Sequence, residues 1–283
     1  MRLAPDPSPL ALPMDTRPVI VHADCREGMR GLADGSVNLI LTSPPYHRCR
    51  DYGLGPDELG QEKDWRDYVA RLVEHLRPGL RLLAPQGNLL LNVRQAVWTG
   101  PLQAALQEDG WTYQQTYAWT KPNAVPCGRM QRRPIEAWEP VYWFTAGPVG
   151  YFDEDANRVP YAPGTVRHGR VRFGGTEHWS KGRTGSEPNP NGGHPRNVVA
   201  AAVGARSVGH RAVMPFPLAR ALVAAHSPEG GLVLDPFVGS GTTCIVAWEL
   251  GRRSIGFEAS AEYAALARSR VRDATGPLFA EEG

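Results

Sequence analysis

Ser43-Pro44-Pro45-Tyr46 puts a hydroxyl, two prolines and an aromatic ring in four consecutive positions. Almost two hundred residues later, Asp235-Pro236-Phe237-Val238-Gly239-Ser240-Gly241-Thr242-Thr243 puts an acid and two close glycines ahead of a helix-forming stretch. The first string is material for a stiff turn. Proline fixes φ and has no N–H, so the carbonyls are left to face a ligand, Ser43 adds a further acceptor, and Tyr46 adds a face on which a ring can stack. The second is a glycine loop between a buried strand and a helix N-terminus, where a nucleotide-like cofactor lies against bare backbone and a carboxylate meets main-chain amides. Neither chemistry calls for a metal or a covalent intermediate.

The elements that position these strings alternate as βαβ units. PVIVH from Pro18 to His22 reads as a short strand ending at Asp24, and VNLIL from Val37 to Leu41 as a strand ending at the Ser-Pro-Pro-Tyr turn. Both polar ends then fall at strand C-termini, where open α/β sheets bind ligands. Asp64 is placed to cap a helix whose Trp65, Tyr68, Val69, Leu72, Val73 and Leu76 recur at three- and four-residue spacing until Pro78. Asn88 to Val93 is expected as a buried strand after a Pro-Gln-Gly turn, Gly100 to Gly110 as a helix, and Tyr113 to Trp119 as a strand. From Lys121 to Gly209 the alternation weakens, with a strand still legible at Ala137 to Phe144. It resumes with a helix at Pro217 to His226, a strand at Gly231 to Asp235, a helix at Thr242 to Leu250, a strand at Arg253 to Phe257 and a helix at Ala261 to Arg272.

Glu258 stands 23 positions beyond Asp235, at the end of the next strand, where an acid can hold ribose hydroxyls. The loop has only Gly-Ser-Gly and departs from G-x-G-x-x-G, which counts against NAD and FAD. DPFxGSGTT together with SPPY, in this order, resembles the permuted β-class of the amino-methyltransferases of DNA, with SPPY the form associated mainly with N4 of cytosine. The resemblance covers roughly residues 21 to 270 apart from a basic stretch. It implies a Rossmann-like, S-adenosylmethionine-dependent methyltransferase fold: α/β, with a mixed sheet, a circularly permuted motif order and an irregular basic target-recognition insert.

On this resemblance Asp235, Pro236, Phe237, Gly239, Ser240, Gly241, Thr242 and Thr243 bind the methionine side of S-adenosyl-L-methionine and Glu258 the ribose. Asp24, in His22-Ala23-Asp24-Cys25, is similar to the acid that contacts adenine. His210 and Pro215, in HRAVMPFPL, resemble an element that closes over the cofactor, and Thr42 joins this group at the end of its strand. Ser43, Pro44, Pro45 and Tyr46 are the catalytic residues implied. An exocyclic amine is a weak nucleophile because its lone pair is delocalised into the ring. Acceptors at Ser43 Oγ and the Pro44 carbonyl draw on its hydrogens and turn the nitrogen toward the methyl donor, while Tyr46 stacks on a base rotated out of the duplex. Pro126-Cys127 resembles the nucleophile of C5-cytosine enzymes but lies in a loop away from any strand end. Trp119 to Pro122, Arg132-Arg133, Glu139 and Tyr151-Phe152-Asp153 add to the similarity.

Residues 156 to 211 hold nine basic side chains against two acids, a local charge of +7 that leaves −5 for the rest of a chain whose net charge is +2. Such asymmetry is the footprint of a polyanion partner, here double-stranded DNA. Arg132, Arg133, Arg167, Arg170, Arg172, Lys181 and Arg183 are the candidate DNA contacts. The chain divides into a target-base half at 18–120, a target-recognition region at 121–209 and a cofactor-binding half at 210–276.

A content of 42% apolar residues supports a sizeable core, and no apolar run reaches membrane-spanning length. A cytoplasmic, nucleoid-associated protein is expected. The four cysteines have no paired spacing, so neither a zinc site nor a disulfide framework is suggested. The function implied is methylation of cytosine N4 in DNA. Alternatives are N6 of adenine, RNA or a small molecule, or a non-catalytic DNA-binding protein that keeps the fold. A homodimer and a cognate restriction endonuclease are further partners consistent with the resemblance.

Overall fold

A computed structural model describes residues 17–125, 134–161, 189–203 and 213–276. Its centre is one eight-stranded sheet in the order β1-β8-β7-β2-β3-β5-β4-β6. The strands are β1 (Val19–His22), β2 (Val37–Thr42), β3 (Leu83–Asn92), β4 (Thr112–Thr120), β5 (Trp138–Thr145), β6 (Val198–Ala200), β7 (Leu232–Asp235) and β8 (Arg253–Glu258). Only β5 runs against the others: it pairs antiparallel with β3 and with β4, and every other pairing is parallel.

β2 and β7 are apolar on both faces because helices cover both sides, the usual condition of central parallel strands. Leu39, Leu41, Leu90 and Val233 point into one core, shared with α5 (Phe216–His226) and α6 (Thr242–Glu249). Ile40, Leu89, Leu91 and Leu234 point into the other, against α2 (Trp65–Leu76) and α4 (Thr99–Glu108). Asp64 caps α2 as its sequence predicts, its side chain accepting from Arg66 N at 2.8 Å. The last helix, α7 (Ala261–Thr275), sets Ala267 and Val271 against Ile20 of β1 and Ile245 of α6.

The structure adds elements that the sequence pattern did not reveal. α1 (Cys25–Arg30) buries only Cys25 and Met29, too few positions for a visible period. α3 (Pro78–Leu82) begins at the proline expected to end α2, because proline fits the first helical position. β3 starts at Leu83 rather than Asn88. Its Pro-Gln-Gly is a bulge, with the β2 register shifting between Val37↔Leu83 and Leu39↔Asn88. A side chain at Gly87 would come within 2.9 Å of the Val37 carbonyl, so the turn-like glycine is there for close strand approach. The expectation of βαβ units throughout fails at β3-α4-β4-β5, where the last two strands form an antiparallel pair. β5 and β6 both come from 121–209, so part of the segment assigned to target recognition is sheet.

Among the described residues no helix is long and apolar enough to cross a membrane. No group of three or more His, Cys, Asp or Glu in them is arranged to hold a metal.

Candidate active site

β2 leads through α2 and α3 to β3 on one side, and β7 leads through α6 to β8 on the other, so the strand order reverses between β2 and β7. The crevice outside the carboxyl ends of such a strand pair is where open α/β sheets hold ligands. A cavity of about 440 Å³ opens there, within the roughly 300–1,000 Å³ typical of small-molecule sites.

Ser43, Pro44, Pro45 and Tyr46 line one wall of it, and Asp235, Pro236, Phe237, Gly239, Ser240, Thr242 and Thr243 line the opposite one. Glu258 and Asp24 contribute from the ends of β8 and β1. Thr42 lies buried beneath the wall, with its hydroxyl donating to Asp235 Oδ1 at 2.6 Å. Gly241 and Pro215 do not line the cavity: Gly241 is the N-cap of α6 and Pro215 that of α5, while neighbouring Val213 and Met214 reach the cavity instead. His210, Arg132, Arg133, Arg167, Arg170, Arg172, Lys181 and Arg183 lie outside the described residues.

The glycine loop takes its shape from backbone that only glycine adopts readily: φ is +51° at Gly239 and +85° at Gly241. A Cβ on Gly241 would stand 3.4 Å from that of Ala267, so the residue also sets how closely α7 approaches. Gly241 gives α6 no side-chain cap, which leaves its first-turn amides to a ligand. Glu258 accepts from Gly239 N at 3.0 Å and from Ser260 N at 2.9 Å, tying the loop to the end of β8. Burial raises its carboxyl above the usual range.

Asp235, only 4% exposed, accepts from Thr42 Oγ1 and from Phe237 N at 3.1 Å. Burial still pushes its carboxyl up to about 6, against the lowering effect of these bonds and of the Thr243 hydroxyl. A buried acid, Asp235, and a partly buried one, Glu258, at adjacent strand ends make a wall suited to a ligand that carries positive charge. Asp24 differs: it caps α1 through Arg26 N and forms a two-pronged pair with the Arg26 guanidinium, at 3.1 and 2.8 Å. That guanidinium holds its carboxyl below the ordinary value.

On the opposite wall, Tyr68 donates to the Pro45 carbonyl at 2.9 Å, so one of the two proline carbonyls is already engaged. The Tyr46 hydroxyl is 3.1 Å from Ser43 Oγ and reaches Glu139 Oε2 at 3.2 Å and Asn92 Oδ1 at 3.4 Å. Burial and the Glu139 charge push the Tyr46 phenol well above its usual range.

Sequence reasoning passes over Asn92, Lys121, Tyr68 and His75. His75 lines the cavity with its ring 6.1 Å from Phe237, and burial lowers its pKa. The helical period marks Tyr68 as a core position, and nothing in it shows that the hydroxyl points at the turn.

Residues 37–269 match a family model described as DNA methylase. The chain is 30% identical to the Type II methyltransferase M.SmaI of Serratia marcescens, over 89% of this chain and 90% of that protein. It is 28% identical to M.XycI of Xanthomonas campestris pv. cyanopsidis, over 94% and 90%. Among solved structures, PvuII DNA methyltransferase (cytosine-N4-specific) aligns with a TM-score of 0.64 at 18% identity, over 91% of each chain. M1.HpyAVI in complex with SAM aligns with a TM-score of 0.60 at 20% identity, over 90% and 98%. At such identities the two structures establish the likeness of fold.

Proposed function

Because this chain belongs to the DNA methylase family, we propose that it methylates the exocyclic N4 of cytosine in double-stranded DNA, using S-adenosyl-L-methionine. The observation that carries this reading is the shared cavity: the Thr42–Asp235 bond joins the base of the Ser-Pro-Pro-Tyr turn to the base of the glycine loop. Cytosine is favoured over adenine by Ser43, the serine form of the tetrapeptide.

The cavity fits such a cofactor in size and in its donor set. The uncapped amides of α6 would hold its carboxylate, buried Asp235 would stand by the cationic methionine part, and Glu258 and Asp24 would hold the ribose and adenine. When bound, S-adenosylmethionine supplies an electrophilic methyl on a sulfonium, and departure of the neutral sulfur drives the transfer.

The chain supplies orientation. Ser43 Oγ and the Pro44 carbonyl accept from the target amine, which aligns its lone pair, and the stiff prolines keep those acceptors in place at no further cost in ordering. Tyr46 offers its ring to the flipped base. The basic segment, with Arg167, Arg170, Arg172, Lys181 and Arg183, binds the phosphate backbone and reads the recognition sequence. Similarity to Type II methyltransferases supports a cognate endonuclease with the same target.

The test is incubation with S-adenosylmethionine and unmethylated genomic DNA, then nuclease digestion and mass spectrometry of the nucleosides, with Ser43→Ala and Asp235→Ala alongside. N4-methylcytosine that both variants lose is the expected result. N6-methyladenine keeps the mechanism and changes the base. No methylated nucleoside despite cofactor binding moves the reading to a DNA-binding protein without transfer.

A further inference from the structure

The Ser43 and Tyr46 hydroxyls are 3.1 Å apart, and that contact alone allows either to donate. Their neighbours decide the direction. Tyr46 has one hydrogen and two further partners, Glu139 Oε2 at 3.2 Å and Asn92 Oδ1 at 3.4 Å. An ionised carboxylate and an amide carbonyl only accept. The Asn92 amide is oriented by its Nδ2, which donates to Glu139 Oε2 at 3.4 Å and to the Pro140 carbonyl at 3.3 Å. Tyr46 therefore donates away from Ser43, and the bond between the two hydroxyls is donated by Ser43. With its hydrogen committed, Ser43 Oγ presents only lone pairs to the cavity.

Glu139 reaches this place because β5 runs backwards. Its second residue lies beside the carboxyl ends of β3 and β4, with Glu139 opposite Trp119 in the ladder and Val141 opposite Asn92. Lys121, just past β4, pairs with Glu139 Oε1, and its ammonium sits 4.6 Å from the centre of the Trp119 ring. Both side chains are largely buried, at 15% and 13% exposure. One carboxylate oxygen is thus anchored, and the other is offered to Tyr46.

We propose that Glu139, anchored by Lys121, is a positioning residue for methyl transfer, which directs the hydrogen bonds so that Ser43 accepts from the target amine and which receives the proton the amine sheds. This rests on the methyltransferase reading above and deepens it. The amine nitrogen forms its bond to the methyl carbon as the carbon–sulfur bond breaks and its electron pair leaves on sulfur. One N–H proton passes to Ser43 Oγ, the Ser43 proton to the Tyr46 oxygen, and the Tyr46 proton to Glu139 Oε2. The sulfonium charge and the carboxylate charge disappear together, and Glu139 later returns the proton to water. Among the described residues, the ionisable groups in contact with Glu139 are Lys121 and Tyr46, while Arg94 and Glu136 on the flanking segments pair with each other at 3.6 Å.

The test measures single-turnover transfer to unmethylated DNA by the full chain, its Glu139→Gln variant and its Glu139→Asp variant, with cofactor affinity by calorimetry. In Glu139→Gln the amide can donate to Tyr46 and reverse the chain, so the rate is expected to fall about 10²-fold while cofactor Kd changes less than about threefold. Glu139→Asp recovers part of the rate. An undiminished rate in Glu139→Gln overturns the inference, as does a loss of cofactor affinity as large as the loss of rate. A parent that transfers no methyl group at all removes the methyltransferase reading and this inference with it, whereas a transferring parent with an indifferent Glu139 removes the inference alone.

Discussion

Thr42 and Asp235, 193 positions apart in the chain, meet through a 2.6 Å hydrogen bond at the carboxyl ends of adjacent strands. The bond lowers the Asp235 pKa but burial dominates and leaves it at about 6. A raised carboxyl favours the protonated form in the folded state. Its contribution to stability is fully present below the unfolded value near 4 and is lost as pH rises through 6, about 3 kcal/mol in total.

A cationic ligand on this wall reverses the preference. Binding of S-adenosylmethionine at pH 6 is expected to release about half a proton, approaching one at lower pH, and affinity is expected to fall as pH drops below 6. Calorimetry in two buffers of different ionisation enthalpy measures the release. Heats that do not depend on the buffer, or a release that persists in Asp235→Asn, would contradict this assignment.

Gly28 of α1 lies against the Phe257 ring of β8, and a Cβ there would stand 2.2 Å from a ring carbon. Gly28→Ala must displace that ring, which lines the cavity. The expected cost is about 1–3 kcal/mol in urea denaturation, accompanied by weaker cofactor binding. Parental stability and affinity together would show that the ring moves freely.

His226 is fully buried, with Nε2 2.9 Å from the Tyr117 hydroxyl and Nδ1 without a partner among the described residues. Burial lowers its pKa to about 3. The folded state therefore binds fewer protons than the unfolded one between about 6.5 and 3. Stability is complete above that window and declines as pH falls through it, by at most about 1.4 kcal/mol per pH unit. Urea midpoints at pH 7 and 4.5 should differ more for the parent than for His226→Gln, and equal differences would remove His226 as the cause.

The basic segment is testable without its structure. Replacing Arg167, Arg170 and Arg172 by Gln should weaken DNA binding and leave cofactor affinity alone. The salt slope should fall by about 0.9 for each phosphate that the variant no longer neutralises. An unchanged slope in a filter-binding titration over salt concentration would assign phosphate binding to other residues.

Local chemistry was the legible part of this chain. The proline turn, the glycine loop, the Asp64 cap and the period of α2 each depend on neighbours within a few positions, and the sequence carries them openly. Continuous apolar runs marked β2 and β7 as buried strands, but an apolar run has no direction. AWEPVYWF announced β5 and could not say that it runs backwards. Asn92, Lys121 and Glu139 converge from β3, the residue after β4, and β5, so no spacing along the chain could show that Glu139 meets the Tyr46 hydroxyl. β6, three residues long at the sheet edge, is too short to leave a pattern.

The pairing of β2 with β7 also governs when the protein becomes competent. β7 sits between β2 and β8 at the middle of the sheet, yet it is made after some two hundred other residues. Until it arrives, β2 has only β3 beside it and presents an apolar edge, the kind that invites association with other chains. Closing so long a loop is slow in entropic terms, and pulse-labelled hydrogen exchange should find the β2–β7 amides among the last protected. A chain still on the ribosome is therefore adhesive, and the wall of the cavity that the glycine loop supplies is in place only after synthesis has passed that loop.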